Sequence, residues 1–188
     1  GARFGGTFEI SSSSVIPANG AEQETDMARL ACGDLIMSGF AVRGSLSLSS
    51  VSAQRICFSR ITLTEDLDLT FGLIEQYAWI KGLSVRGNLD LFGTVVTHNH
   101  LSISGPLRID GNFDAAFLKA GTGIVIDSGG SKDSSIKGNA DFTNAVAPSA
   151  LRIHGVDIDG GIRAKYLSAG SVRILGSKIR FSDDFDSE

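Results

Sequence analysis

The sequence predicts an all-β protein, a single-stranded parallel β-helix of about seven coils with three short strands in each coil. Short runs of alternating apolar and polar residues are separated by turns that contain glycine. Similar runs recur at intervals of roughly 21 to 27 residues along most of the chain. The composition agrees, because 23 glycines, 3 prolines and 42% hydrophobic residues in a chain of 188 suit many short strands rather than long helices.

The repeat is clearest at Val85–Leu91, where the sequence is VRGNLDL. With its first leucine as the anchor, six copies align, at Leu46, Leu67, Leu89, Phe113, Ala140 and Ile162. The positions four before and two after each anchor are apolar in every copy. One coil cannot bury these residues, but coils stacked about 4.8 Å apart form a continuous core. A left-handed helix of hexapeptides needs a stricter period of about 18 residues, so the spacing favours a right-handed helix.

The two ends of the chain depart from the repeat. An early copy with Phe8 as its anchor is followed only by Leu46, which predicts an insertion of about sixteen residues in one coil. Residues 11–30 supply this insertion as a loop or as a short helix that follows an Asn-Gly turn. We expect residues 1–188 to form a single solenoid domain taken from a longer chain, with residues 182–188 as an acidic tail or cap.

One surface column is a candidate binding site, because the residue after the anchor is an aspartate in four successive copies. These residues are Asp68, Asp90, Asp114 and Asp141. Like charges on neighbouring strands repel, so the column could attract cations or a basic partner, or hold calcium against an acidic sugar polymer in an enzyme. The structural alternative is that salt screens the charges and that they discourage aggregation. The column before the anchor contains Asn88, Asn112 and Asn139, which predicts a ladder of turn-forming side chains.

No catalytic, metal or cofactor site is predicted. His98, His100 and His154 have no further ligands at metal-binding spacing, and no nucleophile or phosphate-loop motif is present. Cys32 and Cys57 lack CxxC spacing and are expected to be two unpaired thiols. Four aromatic residues that follow the anchors are expected to fill the core rather than line a surface groove: Phe71, Phe92, Phe117 and Tyr166.

The overall charge limits the classes of partner. A net charge of −4 offers no basic surface to neutralise phosphates, so no nucleic-acid partner is expected. No apolar run is long enough for a membrane-spanning helix, and the first residues do not resemble a signal peptide. Both the bacterial cytoplasm and a secreted location stay open.

The cadence Gly-x-Leu-x-Leu, a loose turn and then Leu-x-Ile-x-Gly is present in Leu101–Phe113 and Leu151–Ile162. It resembles the glycine-rich solenoid repeats of bacterial parallel β-helix proteins, and more distantly bactofilins and pentapeptide-repeat proteins. The resemblance covers about residues 35–181 and implies a shape rather than an activity.

Three functions are compatible with this shape. The favoured one is a non-catalytic module, a rigid scaffold or a recognition domain for a protein partner within a larger bacterial protein. The second is a polysaccharide-acting enzyme on the aspartate column, beside long turns at residues 97–100 and 127–135, with carbohydrate as its ligand. The third is a structural protein that assembles end to end through unpaired strand edges.

Overall fold

The computed structural model describes residues 2–12, 14–15 and 24–180, and the statements below refer to these residues. The chain forms a parallel β-solenoid of about seven turns. No helix occurs in the described ranges, and therefore none that could cross a membrane. The predicted all-β class and the stacking of parallel coils are confirmed.

The described part of the chain contains 23 strands, which pair in parallel. In chain order they are β1 (Phe8–Ser11), β2 (Ser14–Val15), β3 (Thr25–Asp26), β4 (Ala31–Ser38), β5 (Ala41–Val42), β6 (Leu46–Ser47), β7 (Ser52–Leu63), β8 (Leu67–Asp68), β9 (Leu73–Val85), β10 (Leu89–Asp90), β11 (Val95–Val96), β12 (Leu101–Ile109), β13 (Phe113–Asp114), β14 (Lys119–Ala120), β15 (Gly123–Asp127), β16 (Ser135–Ile136), β17 (Ala140–Asp141), β18 (Val146–Ala147), β19 (Ala150–His154), β20 (Asp157–Ile158), β21 (Ile162–Arg163), β22 (Ser168–Ala169) and β23 (Val172–Leu175).

Two sheets enclose one core. Seven two-residue strands form the smaller sheet, in the order β21-β17-β13-β10-β8-β6-β3. All six predicted anchors are the first residues of strands in this sheet, and they pair in register, so that Leu89 lies between Leu67 and Phe113. The larger, 16-stranded sheet forms the remaining walls. The alignment of anchors therefore predicted the stacking of the coils correctly.

Opposite the anchor strand, each coil contains a longer segment of the larger sheet, and this segment bends. In the middle of the solenoid this segment is one strand, as in β7 and β9, with register shifts in its pairing. In the coil that begins at Phe113 it is divided into β14, β15 and β16, so this coil has four strands where three were predicted. Side chains from both sheets meet inside, where Leu89, Val85 and Ile80 are fully buried. A continuous apolar core therefore runs along the solenoid axis.

The first coil differs from the prediction. Phe8 is not an anchor, because β1 pairs with β4 and places Phe8 beside Leu35. The anchor of this coil is Thr25, which pairs with Leu46. Its polar side chain and the absence of a glycine before it concealed this position from the motif alignment.

The insertion in the first coil is also shorter than predicted. Val15 pairs with Val42, and ten positions separate Val15 from Thr25 where four separate Val42 from Leu46. The coil therefore contains six extra residues rather than about sixteen. Between residues 24 and 30 the chain forms β3 and a turn instead of a short helix. Residues 13 and 16–23 of the proposed insertion, and the acidic tail at 182–188, lie outside the described residues.

Adjacent coils approach closely at the turn before the anchors, where glycines stack on glycines. A Cβ atom on Gly138 would lie 2.8 Å from the carbonyl oxygen of Gly111 and 2.9 Å from its carbonyl carbon. Both atoms are backbone, and they are held by coil-to-coil hydrogen bonds. A methyl group at this position can be accommodated only if the coils separate.

We expect Gly138→Ala to lower the free energy of unfolding by about 1–3 kcal/mol, the usual cost of overpacking. The matched control is Gly5→Ala, since a Cβ at Gly5 meets no atom within 4 Å. Urea denaturation followed by circular dichroism measures both. Equal stabilities of the two variants would contradict the close stacking of coils at this turn.

Candidate functional site

The four candidate aspartates lie on successive coils of the smaller sheet. Asp90 pairs with Asp68 on one side and with Asp114 on the other, and Asp114 pairs with Asp141. Neighbouring strands are about 4.8 Å apart, and all four residues are half-buried. The structure therefore brings all four together in one outward line, which we call the aspartate ladder.

Each member of the aspartate ladder has a local structural role. Its Oδ1 atom accepts a hydrogen bond of 2.8 Å from the backbone N–H two residues later. Asp26, on the first coil, does the same. This contact closes the turn that follows the anchor strand, a use for which Asp is well suited. The acidic column is thus explained by turn chemistry without a ligand.

The electrostatic cost of placing the aspartates side by side is greatest at Asp90, in the middle of the aspartate ladder. Burial raises the pKa of Asp90 above its ordinary value of 3.8, and the charges of Asp114, Asp68 and Asp66 raise it further. The N–H of Phe92 opposes this effect by stabilising the carboxylate. Within the described ranges no cationic side chain forms an ion pair with the ladder, and no group of three or more potential ligands could hold a metal ion.

The predicted asparagine ladder is confirmed, with a specific bonding pattern. The side-chain oxygen of Asn88 accepts a hydrogen bond of 2.8 Å from the backbone N–H of Asn112, and Asn112 does the same for Asn139 at 2.9 Å. Asp66 accepts the N–H of Asn88 at 2.6 Å, and its own N–H donates to the Ser45 hydroxyl oxygen at 3.3 Å, so the series extends to the preceding coil. These side chains join one coil to the next and are not available for binding through the same atoms.

The prediction that the four aromatic residues fill the core is wrong, since three are exposed and Phe92 is half-buried and outside the core. Phe71, Phe117 and Tyr166 are 60%, 47% and 73% exposed. Phe92 lies between the first two, with ring centroids 5.5 Å from Phe71 and 5.2 Å from Phe117. We call Phe71, Phe92 and Phe117 the phenylalanine ladder. It is an apolar strip on the turn beside the aspartate ladder.

The backbone at this turn explains why the rings point outward. Phe71, Phe117 and Tyr166 have φ angles of +54°, +59° and +58°, and equivalent residues in the other coils also have positive φ. A left-handed conformation breaks the strand alternation that would otherwise place these side chains inside. Gly93 occupies this position between the two exposed phenylalanines, and a Cβ there would lie 2.8 Å from the Phe71 ring. Its missing side chain leaves room for the stacked rings.

A groove of about 710 Å³ lies on a different edge, where β7, β9 and β12 bend. We call it the corner groove. Its charged residues are Arg60, Lys81, Arg108 and Asp133, the last from the long turn between β15 and β16. None of the three described grooves is lined by a member of the aspartate ladder. The sequence analysis missed this groove, although Arg60 could have been noticed as an arginine in a column of glycines.

The histidines and cysteines form no shared site. His98 Nδ1 lies 2.6 Å from a backbone carbonyl oxygen, and His154 Nδ1 lies 3.2 Å from Asp127 Oδ2. The Gly129 N–H, and then His154, lower the pKa of Asp127. Cys32 and Cys57 are free thiols, as predicted, and they are not opposite each other in the pairing of β4 with β7.

Comparisons with protein-family models, with curated proteins and with solved structures found no match. The structure itself supports the predicted parallel β-solenoid, while the resemblance to bacterial solenoid repeats stays a prediction. The more distant resemblance to bactofilins and pentapeptide-repeat proteins stays a prediction.

We expect Asp90→Asn to stabilise the fold at pH 7. Asparagine keeps the oxygen that accepts the Phe92 N–H, while the like-charge contacts with Asp68 and Asp114 disappear. Each such contact costs about 0.2–1 kcal/mol. Because the folded state raises the pKa of Asp90, this advantage should shrink as the pH falls through the raised pKa. It should be absent below the ordinary carboxyl value of 3.8.

Asp90→Ala is the matched control, since it removes the charge together with the hydrogen bond to Phe92. That bond is worth about 0.5–1.5 kcal/mol, so the alanine variant should be less stable than the asparagine variant at every pH. Chemical denaturation between pH 3 and pH 8 gives both comparisons. A stabilisation by Asp90→Asn that does not depend on pH would contradict the electrostatic explanation.

Proposed function

We propose that this solenoid is a non-catalytic recognition module, which contacts a protein partner through the phenylalanine ladder. The observation that carries the proposal is the exposure of Phe71 and Phe117, at 60% and 47%. Both side chains lie outside the hydrophobic core. Large aromatic side chains left in water at adjacent positions mark interaction surfaces more often than isolated ones do. Aromatic residues are also enriched where protein interfaces are most fully buried.

The solenoid suits a scaffold because it holds the ladder rigidly. The turns before and after each phenylalanine are hydrogen-bonded to the next coil, as when Phe71 donates its N–H to the carbonyl of Phe92. The rings also support each other at 5.2 to 5.5 Å. A surface that is already ordered loses little conformational entropy when a partner binds. The three rings therefore form a preordered apolar surface that is about two coil spacings long.

The surroundings of the ladder suggest the chemistry of the partner. The aspartate ladder runs alongside, and the Asp90 carboxylate accepts the N–H of Phe92 itself. A partner with an apolar pocket edged by Lys or Arg would fit the apolar strip and its acidic border. A binding role for Asp68, Asp90, Asp114 and Asp141 stays a proposal, because their geometry is already explained by the turns.

The enzyme hypothesis has less support from the geometry. Hydrolysis of a glycosidic bond uses two carboxyl groups that face each other across the substrate. The aspartate ladder instead places its carboxylates side by side on one surface, each bound to its own turn. End-to-end assembly stays a prediction.

The direct test is the double variant Phe71→Asn and Phe117→Asn. Asparagine is the residue that the solenoid itself uses at this turn, at Asn144 with a φ of +56°. The fold should therefore be retained while the aromatic surface is removed. The immobilised wild-type chain is used to retain a protein from extracts of its source cells, and affinity is then measured with that protein purified. We expect the double variant to bind at least about tenfold more weakly, as for a hot-spot contact.

Tyr166→Asn is the control, because Tyr166 has the same turn conformation and is also exposed but is outside the phenylalanine ladder. It should bind the partner as the wild type does. Equal affinity of the double variant and the wild type would rule out the ladder as the contact surface. Failure of the wild-type chain to retain any protein would count against recognition of a protein partner.

A further inference from the structure

The corner groove is independent of the phenylalanine ladder and shares no residue with it. It lies where the larger sheet bends, and it crosses four successive coils from Arg60 to Asp133. Its cationic side chains are Arg60, Lys81 and Arg108, in a protein whose net charge is −4. A local excess of positive charge on an acidic protein needs an explanation.

The conformation of Arg60 is the most unusual feature of the groove. Pairing of β4, β7, β9 and β12 aligns Arg60 with Gly39, Gly82 and Gly105, and all four have positive φ. Arg60 has a φ of +56°, a conformation that glycine adopts without strain and that other residues rarely adopt. An arginine here is maintained at a cost to the backbone. Strain of this kind concentrates at functional sites.

Two of the three cationic side chains are not neutralised by an acidic neighbour. Arg60 and Lys81 form no ion pair with any residue that the structure describes. Their aliphatic stems lie over glycines of the next coil. Arg60 Cγ is 3.9 Å from the place where a Cβ of Gly82 would be, and Lys81 Cγ is 3.6 Å from the corresponding place at Gly105. Two like charges on neighbouring coils are unfavourable unless an anion lies between or above them.

Arg108 differs from these two residues. Its Nε and Nη2 atoms donate to Asp110 at 3.0 and 3.1 Å, so it is already paired. Asp133 is the groove's own carboxylate and lies on the far wall. The free positive charge therefore belongs to Arg60 and Lys81 at one end of the groove.

The groove also offers apolar contacts. Its exposed apolar surface consists of Pro106 and the aliphatic stems of Arg60 and Lys81, because Ile61, Leu83 and Leu107, which border it, are buried in the core. Beside it, Trp79 is 48% exposed and lies two residues before Lys81, on the same outward face of β9. A ligand that fits this surface carries both carboxylates and apolar side chains.

We propose that the corner groove binds an extended acidic polypeptide segment in which carboxylates alternate with apolar side chains. Arg60 and Lys81 pair with the carboxylates, while Pro106 and Trp79 contact the apolar side chains. An acidic polysaccharide would satisfy the same cations. It would leave the exposed Pro106 ring against hydroxyl groups, which favours the peptide. Trp and Arg are also the residues most often found at the centre of protein interfaces.

The experiment uses the full chain and its single tryptophan, Trp79, as the reporter. A synthetic peptide of alternating Asp and Leu is titrated while tryptophan fluorescence is recorded, and calorimetry provides a second measurement. A Lys and Leu peptide of equal length and an oligogalacturonate of similar charge are titrated in parallel. We expect the acidic peptide alone to bind, with an affinity that falls as salt is added.

Two variants test the residues. Arg60→Gly and Lys81→Gln should each weaken binding of the acidic peptide about tenfold, as expected for loss of a charged hydrogen-bond partner. Arg60→Gly places the preferred residue in the glycine column, so its melting temperature should equal or exceed that of the wild type. Lost binding in that variant therefore cannot come from lost folding. Lys119→Gln, an exposed strand residue outside the groove, is the charge-matched control and should bind normally.

Several results would overturn the proposal. Unchanged binding in both Arg60→Gly and Lys81→Gln would show that the groove cations do not contact the peptide. Equal binding of the acidic and basic peptides would indicate nonspecific apolar contact. Binding of oligogalacturonate without the acidic peptide would assign the groove to acidic glycans instead. None of these outcomes bears on the phenylalanine ladder, whose variants change different residues.

Discussion

The structure depends on the register between coils, because paired residues are stacked on their counterparts one coil away. Once Leu67, Leu89 and Phe113 pair in the smaller sheet, the positions of the turns and outward columns are fixed with them. The same stacking repeats every interaction, favourable or not. It aligns apolar side chains into a core and asparagines into a hydrogen-bonded ladder, and it also places aspartates beside aspartates.

This repetition gives a way to separate structural columns from functional ones. A column whose members all make the same local bond, such as the aspartate ladder with its turns, is explained by the fold. A residue that breaks its own column is not explained in this way. Arg60 among glycines is such a residue. The two exposed phenylalanines are also not explained by the fold, because the same turn is occupied by serine, glycine and asparagine in other coils. The proposed contacts rest on these positions.

The sequence was sufficient for the parts of the fold that follow strand alternation. The anchors and the asparagine ladder were predicted because period-two patterns and glycine turns have fixed spacing. Phe8 was misassigned because Gly-Gly-Thr-Phe resembles the anchor motif, while the real anchor, Thr25, is polar. The exposure of Phe71 was missed for a different reason. A single left-handed residue reverses the inside and outside of a strand pattern, and hydrophobicity carries no signal for it.

The left-handed turn after each anchor has a consequence for how this surface could change. This position is occupied by Arg29, Ser50, Phe71, Gly93, Phe117, Asn144 and Tyr166, with φ angles between +54° and +66°. The same backbone conformation thus accommodates hydroxyl, amide and aromatic side chains, and also glycine, which has no side chain. Mutation at this position can diversify the surface while the core stays constant, much as loop residues vary on an antibody framework. The turn is in this sense an evolvable site, where new specificity requires single substitutions rather than a rebuilt coil.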